Sequence, residues 1–407
     1  MKKIGLMSLI VATLMVMGSW AIAADTIKVG CAFSLTGDYA GSGDNYFKGV
    51  EMAVEELNAA GGLLGKQLEI VMFDNQDFAP EVVMQGADYL MDQKKVAVVV
   101  AGWAGAGADV RAYGKYDVPA FLDDGSQASV DVYKEDPEKY RNAYFMTPVA
   151  AAQGSSVFNV LQALPYDYPN KKVVLINTDD AWGGEIGAVM AKRFKEIGWE
   201  VALHEIVPYG TNEWGPILTK VRRIKPAVIH FEIAASQEPI TFVRQFLKRP
   251  TNTIISLGWS ITPLEVVGTL GKKADGVMGD MPAGMPVPQA PTVEAQAWLD
   301  KYKKRYKHDL GVGSFVTYTS FMAWAEAAKA SGDAYDFKAV NKHLKTVAYK
   351  GLMGDISWGE NNTLHPQPGA PMTHYQVQNG ELVTLFTDPA VTPYKDNKFI
   401  KPRRSEE

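Results

Sequence analysis

The stretch IKVGCAFSLTGDYAGSGDNYFKGVEMAVEELNAAGGLLGKQLEIVMFDNQDFAPEVV, Ile27 to Val83, decides the architecture. Its apolar opening, Thr26–Phe33, reads as a strand. Asp44–Ala60 then carries Phe47, Val50, Val54 and Leu57 at helical spacing, with Met52 and Ala53 beside them. Gly61-Gly62 ends that helix, because glycine tolerates the left-handed conformation found at helix ends. Leu68–Phe73 is a second strand and Pro80–Met91 a second helix. A strand, an amphipathic helix and a further apolar strand form the unit of a parallel sheet covered on both faces.

The rhythm continues outward from this unit. Val96–Ala101 and Pro119–Leu122 read as strands, with the helix-like Asp109–Tyr116 between them. After Thr147-Pro148 it restarts. Helices Gln153–Leu164, Glu185–Ile197, Glu213–Ile224 and Gln237–Leu247 alternate with strands Lys172–Asn177, Glu200–Val207, Ala227–Ile233 and Thr253–Leu257. Strand Gly276–Gly279 closes the series. A Pro/Gly-rich stretch, Met281–Pro288, then reads as linker. Helices Val293–Tyr306, Ser314–Ala330 and Phe337–Val347 follow, and Asn379-Gly380 marks a hairpin between Thr373–Val377 and Leu382–Phe386. The expected fold class is α/β, with two doubly wound α/β lobes, a hinge and an interdomain cleft. Lobe 1 takes 25–147 plus about 284–350, and lobe 2 takes 148–283 plus about 351–407. Crossings fall near Thr147-Pro148, Met281–Pro288 and Lys350–Gly354.

Composition removes several function classes. The chain of 407 residues is 47% apolar and 21% charged, which fits globular domains with sizeable cores. Its net charge is −5, with no basic block to suit nucleic acid. One cysteine, Cys31, rules out an intrachain disulfide and a multi-thiolate zinc site. The 6 histidines, His204, His230, His308, His343, His365 and His374, show no HExxH and no triad-like spacing. His230, alone in an apolar strand, reads as a core residue. No cofactor or metal is expected.

The N-terminus reads as a secretory leader over residues 1–23. Lys2-Lys3 precede an apolar run from Ile4 to about Met17, and Ala21-Ile22-Ala23 supplies the cleavage pattern. The run is shorter than the roughly 20 residues of a spanning helix. Cleavage after Ala23 would leave 39 basic residues against 46 acidic ones. The mature protein is therefore expected to be exported.

Ligands of open α/β sheets sit beyond the carboxyl ends of strands. The loops there include Gly102–Gly107, Asp123–Gln127, Asp179–Gly184, Phe231-Glu232 and Gly258–Ser260. Glycines at 102, 105 and 107 miss the GxGxxG spacing, and neither GxxxxGK[ST] nor GxSxG occurs, so the first loop offers amides rather than a nucleotide site. Trp103, Trp182 and Trp259, from three separate loops, suit an aromatic wall, although each could pack beneath its own loop. Trp199, Trp214, Trp298, Trp324 and Trp358 read as core. Asp179-Asp180 could form a carboxylate pair of an exported α/β hydrolase, or simply cap a helix.

The opening stretch resembles the Leu/Ile/Val-binding family of periplasmic solute-binding proteins, in its Ser34-Leu35-Thr36-Gly37 turn, Gly49, Asn58 to Gly65 and Asp74–Pro80. Weaker similarity continues through NTDDAWGGEIG, FVRQF and GLMGDISWGENNTL. The resemblance implies a type I periplasmic binding fold, a monomer that closes on a small-molecule ligand and delivers it to the membrane permease of an ABC transporter. It places ligand contacts at Trp103, Ala104 and Gly105, where only backbone donors remain. Further contacts implied by it fall at Gly125, Ser126 and Gln127, at Trp182, and near Phe231 or Glu232, while Trp259 rests on its place in a strand-end loop. Amino-acid binders of that family carry a carboxylate near Gly258-Trp259-Ser260, and this chain has none. Glu232 or Asp180 then meets the ammonium group of an amino-acid-like ligand, or the ligand is an aromatic or aliphatic carboxylate, an amide or a quaternary ammonium compound. A receptor-docking binding protein of the same fold is also consistent.

Overall fold

A computed structural model describes residues 25–37, 39–103, 105–233, 237–261, 264–282, 292–307, 310, 313–364, 372–387, 392–393 and 398–402. Residues 1–23, read above as a leader, and most of the Met281–Pro288 stretch lie outside the described residues.

The first lobe is a five-stranded parallel sheet. Its elements are β1 (Ile27–Phe33), α1 (Ala40–Ala59), β2 (Leu68–Asp74), α2 (Pro80–Ala87), β3 (Val98–Ala101), α3 (Ala108–Tyr113), β4 (Ala120–Leu122), α4 (Gln127–Glu135) and β5 (Ala143–Phe145), and the strand order is β2-β1-β3-β4-β5. α1 buries Tyr46, Val50, Ala53, Val54 and Leu57, the one-sided stripe its sequence spacing requires. Asn58 ties the end of α1 to β2, accepting from the Leu68 amide at 2.7 Å and donating to its carbonyl at 3.0 Å. α4 and β5 were not legible in the sequence.

The second lobe follows the crossing at Thr147-Pro148. It contains α5 (Ala150–Ala163), β6 (Lys172–Thr178), α6 (Ala181–Glu196), β7 (Glu200–Val207), α7 (Gly215–Ile224), β8 (Val228–Glu232), α8 (Gln237–Phe246), β9 (Ile254–Ser256), α9 (Leu264–Leu270) and β10 (Met278–Pro282). The parallel order is β10-β9-β8-β6-β7.

The chain then returns to the first lobe. α10 (Val293–Tyr306), α11 (Ser314–Ser331) and α12 (Phe337–Thr346) pack there. Thr317 Oγ1 on α11 donates to the Tyr46 carbonyl at 2.8 Å, and the Arg305 guanidinium grips both Glu55 oxygens at 2.6 Å. β11 (Tyr349–Gly351) and β12 (Gly354–Ile356) form a small hairpin, so Lys350–Gly354 is not a crossing. The following segment also stays with the first lobe. Trp358 Nε1 donates to the Phe145 carbonyl at 2.9 Å, its ring packs on Phe121 and Tyr144, and Asn362 bonds the Arg141 and Ala143 carbonyls. Residues 351–364 therefore belong with the first sheet, not with the second lobe as their position after the hairpin suggested. From Met372 the chain is again part of the second sheet.

The second sheet is completed by β13 (Met372–Gln378), β14 (Glu381–Thr387) and β15 (Thr392–Pro393), with β13 antiparallel to β10. Asn379 and Gly380 both adopt positive φ, at 56° and 85°, which is the tight hairpin turn that Asn-Gly favours. Trp199, Trp214, Trp298, Trp324 and Trp358 are all buried, and so is Cys31.

Candidate functional site

The carboxyl ends of both parallel sheets face a common cleft, with a cavity of about 350 Å³. From the first lobe it is lined by Tyr39, Asp77, Phe78, Trp103, Gly105, Ala106, Asp124 and Ser126; from the second come Asp179, Asp180, Ala181, Trp182 and Tyr209. Its volume lies within the range of small-molecule sites.

Aromatic rings build one wall. Tyr39 lies 5.0 Å from Phe78 and 5.3 Å from Trp103 between ring centres, and Phe78 lies 5.3 Å from Trp103. Tyr209 of the second lobe meets Tyr39 at 5.3 Å and Trp103 at 6.0 Å, so the rings touch across the cleft. Trp182 packs edge-on to Trp259 at 6.2 Å. Trp103 and Trp182 thus line the cavity, while Trp259 backs Trp182 and is not among its lining residues.

The loop after β2 is held under strain. Gln76, Asp77 and Phe78 have φ of 45°, 59° and 71°, a left-handed run that costs non-glycine residues energy. Asp74 anchors it by accepting from Leu35 N, Thr36 Oγ1 and Gln76 N at 2.7–3.0 Å. Partial burial raises the Asp74 carboxyl, but these donors outweigh it and hold it below its usual range.

Carboxylates supply the polarity. Asp180 caps α6 by accepting from Gly183 N at 2.7 Å, and its other oxygen accepts from the Tyr209 hydroxyl at 3.0 Å. Asp179 is exposed and lines the cavity. Asp124 is buried and accepts from Ser126 N at 2.9 Å and from the Ser129 hydroxyl. Burial pushes the Asp124 carboxyl up, and does the same to Asp109 beneath it. Asp123 accepts from the Tyr46 hydroxyl, and burial raises it to about 6. None of the thirteen described lining residues is Lys, Arg or His.

The expected ligand contacts divide. Gly105 lines the cavity, while Ala104 lies outside the described residues. No described group is paired with the amides of Gly105 and Ala106. Ser126 lines the cavity, but its hydroxyl caps α4, at 3.2 Å from Ser129 N and 2.9 Å from Ser129 Oγ. The Gln127 amide is also engaged, donating to both carboxylate oxygens of Glu185 at 2.8 and 2.6 Å, with Ala128 N at 3.3 Å. Gly125 is buried against the crossing strand, its carbonyl accepting from Ala150 N at 2.7 Å.

Phe231 and Glu232 do not reach the cleft. Phe231 is fully buried between Trp214 and Phe242, with centroids at 5.2 and 4.6 Å. Glu232 is fully buried below the loop after β9, accepting from Trp259 N at 2.8 Å, with His230 Nε2 at 3.2 Å. Burial holds the Glu232 carboxyl well above its usual range and lowers His230 to about 3. Gly258 is required here, because a Cβ would fall on a Glu232 oxygen and its φ is 52°. Missed by the sequence reading were Tyr39, Asp77, Phe78 and Tyr209, which sit in loops after β1, β2 and β7. The strand-end rule that found the other loops would have found these too.

Among the described residues, no group of three or more His, Cys, Asp or Glu could hold a metal ion, and no helix is long and apolar enough to cross a membrane.

A two-lobed α/β protein with an aromatic cleft between the lobes is the architecture of a ligand-enclosing binding protein. The chain belongs to the periplasmic binding protein family, whose profile matches residues 26–381. It is 21% identical to the leucine-, isoleucine-, valine-, threonine-, and alanine-binding protein of Pseudomonas aeruginosa, over 85% of this chain and 89% of that one. A Silicibacter pomeroyi structure described as a branched-chain amino acid ABC transporter superposes with TM-score 0.80 and 26% identity, covering 93% of this chain and 99% of that one. A solute-binding protein of an ABC transporter from Rhodopseudomonas palustris BisB5, in complex with 3,4-dihydroxybenzoic acid, shares the fold with TM-score 0.76 at 20% identity, covering 91% and 99%.

Proposed function

We propose that this chain is the exported, periplasmic solute-binding component of an ABC importer, and that its ligand carries a cationic group, as an amino acid or related amine does. One observation carries the ligand class: the thirteen described residues that line the cavity include four aspartates and no cationic side chain. A cation there meets Asp179 and the faces of Trp103, Trp182 and Tyr209, which attract positive charge. A ligand carboxylate can take the amides of Gly105 and Ala106 but meets no cationic side chain among the described lining residues, which suits a zwitterion better than a bare acid. Asp180 is committed to Tyr209 and to the start of α6, which favours binding over a catalytic aspartate pair. The name of the Pseudomonas relative supports an amino-acid ligand.

A thermal-shift panel of amino acids, their keto acids, their decarboxylated amines and benzoates tests this reading. Ligands with an ammonium group should stabilise the protein, and Asp179→Asn should weaken the best of them about tenfold. Stabilisation by benzoates or keto acids alone, unchanged in Asp179→Asn, would overturn the cationic assignment.

A further inference from the structure

The Glu185 carboxylate reaches from the first turn of α6, in the second lobe, to the first amides of α4, in the first. Its two oxygens lie 2.8 and 2.6 Å from Gln127 N, and one lies 3.3 Å from Ala128 N. These are orphan donors of a nine-residue helix, which no intrahelical carbonyl can satisfy. The bond joins two lobes connected only through crossing segments, so it exists only when the lobes are together.

We propose that Glu185 is a closure latch, a carboxylate of the protein's own that occupies the anion-accepting start of α4 and stabilises the closed form without ligand. The bond is charge-assisted and half-buried, the kind that contributes most in a partly desolvated setting. The same contact sets specificity. A ligand carboxylate is kept from the Gln127 end of the cleft, because Glu185 already holds those amides. Ligand anions are directed instead to Gly105 and Ala106. The latch needs no assumption about what the ligand is.

The test separates the lobes' own equilibrium from ligand binding. Cys31 is buried, so thiols introduced by Lys134→Cys on α4 and Lys192→Cys on α6, both exposed positions, can be spin-labelled selectively. Distance distributions are then measured by pulsed electron resonance on ligand-free protein. The unaltered latch should give a short-distance population, and Glu185→Ala should shrink it about tenfold. Tens of millimolar acetate should restore it in Glu185→Ala and change nothing in the parent. Gln127→Pro removes the shorter contacts from the other side and leaves only the long one from Ala128 N. Proline fits the first helical position, and Ser126 before it is already extended, with φ −74° and ψ 146°. Its effect should approach that of Glu185→Ala, and the double variant should equal Glu185→Ala alone. Absence of a short-distance population in the ligand-free parent would overturn the latch. So would a population indifferent to Glu185→Ala, or additive effects of the two variants.

Discussion

The ring of Tyr39, from the loop after β1, meets the ring of Tyr209, from the loop after β7, edge to face at 5.3 Å. These two residues are far apart in sequence and on different sheets, so their contact reports the closed arrangement. Tyr209 has a second partner in Asp180, and burial together with that carboxylate pushes its phenol well above the usual range. The hydroxyl therefore stays a donor at every physiological pH.

Tyr209→Ala should weaken the best ligand of the thermal-shift panel about tenfold, since a ring contacting both Tyr39 and Trp103 is lost. Tyr209→Phe keeps the rings and loses only the bond to Asp180, so its effect should be a few-fold. A double-mutant cycle of Tyr39→Ala and Tyr209→Ala, read by calorimetric affinity, should return a coupling of about 0.5–1.5 kcal/mol. Strict additivity would mean the two rings do not cooperate in the bound state.

Glu232→Gln should leave ligand affinity within about twofold, because Glu232 lies beneath Trp259 and not in the cleft. Phe231→Ala should cost about 3–5 kcal/mol of unfolding free energy, as truncating a buried aromatic does, with affinity in the folded protein unchanged. Denaturant unfolding and ligand titration on the same samples separate the two quantities. Loss of binding in Glu232→Gln at unchanged stability would return that carboxylate to the site.

The alternation of elements was legible because strands and helices in a doubly wound sheet impose different periods on the sequence. Trp103, Trp182 and Gly105 were legible for a related reason, since strand-end loops face the cleft in such folds. Phe231 and Glu232 were misplaced by one step of geometry. They end β8, but Phe231 points into the Trp214–Phe242 cluster, and Glu232 is covered by the loop carrying Trp259. No sequence period says which side of a fully buried strand a residue faces. The bond between Glu185 and Gln127 was beyond reach altogether, since it depends on how the lobes approach each other.

Asp123 makes a pH prediction with a definite sign. Its carboxyl is raised by burial to about 6, above the 3.8 of an unperturbed aspartate, so the folded state holds the proton more tightly than the unfolded chain. Its contribution to stability is therefore present below about pH 4 and lost as pH rises through 6. Asp123→Asn removes that loss. The stability of Asp123→Asn relative to the parent should rise by on the order of 1–3 kcal/mol between pH 4 and pH 7, measured by denaturant unfolding. A pH-independent difference would show that Asp123 does not titrate in this window.

Gly37 and Gly41 sit four residues apart and should respond oppositely to alanine. Gly37 has φ 86°, and a Cβ there would fall inside the Asp77 carboxylate, which accepts from Tyr39 N at 3.1 Å. Gly37→Ala must therefore displace Asp77, and with it the strained turn that presents Phe78 and Tyr39 to the cleft. The left-handed backbone alone costs about 1–2 kcal/mol. Displacing three lining residues should further reduce affinity by about tenfold or more. Gly41 lies in the first turn of α1 with open space around its Cβ position, so Gly41→Ala should stabilise by about 0.4–1 kcal/mol and leave affinity unchanged. Thermal unfolding and ligand titration of both variants check the contrast. Gly37→Ala binding as tightly as the parent would show that the Asp77–Phe78 turn does not shape the ligand site.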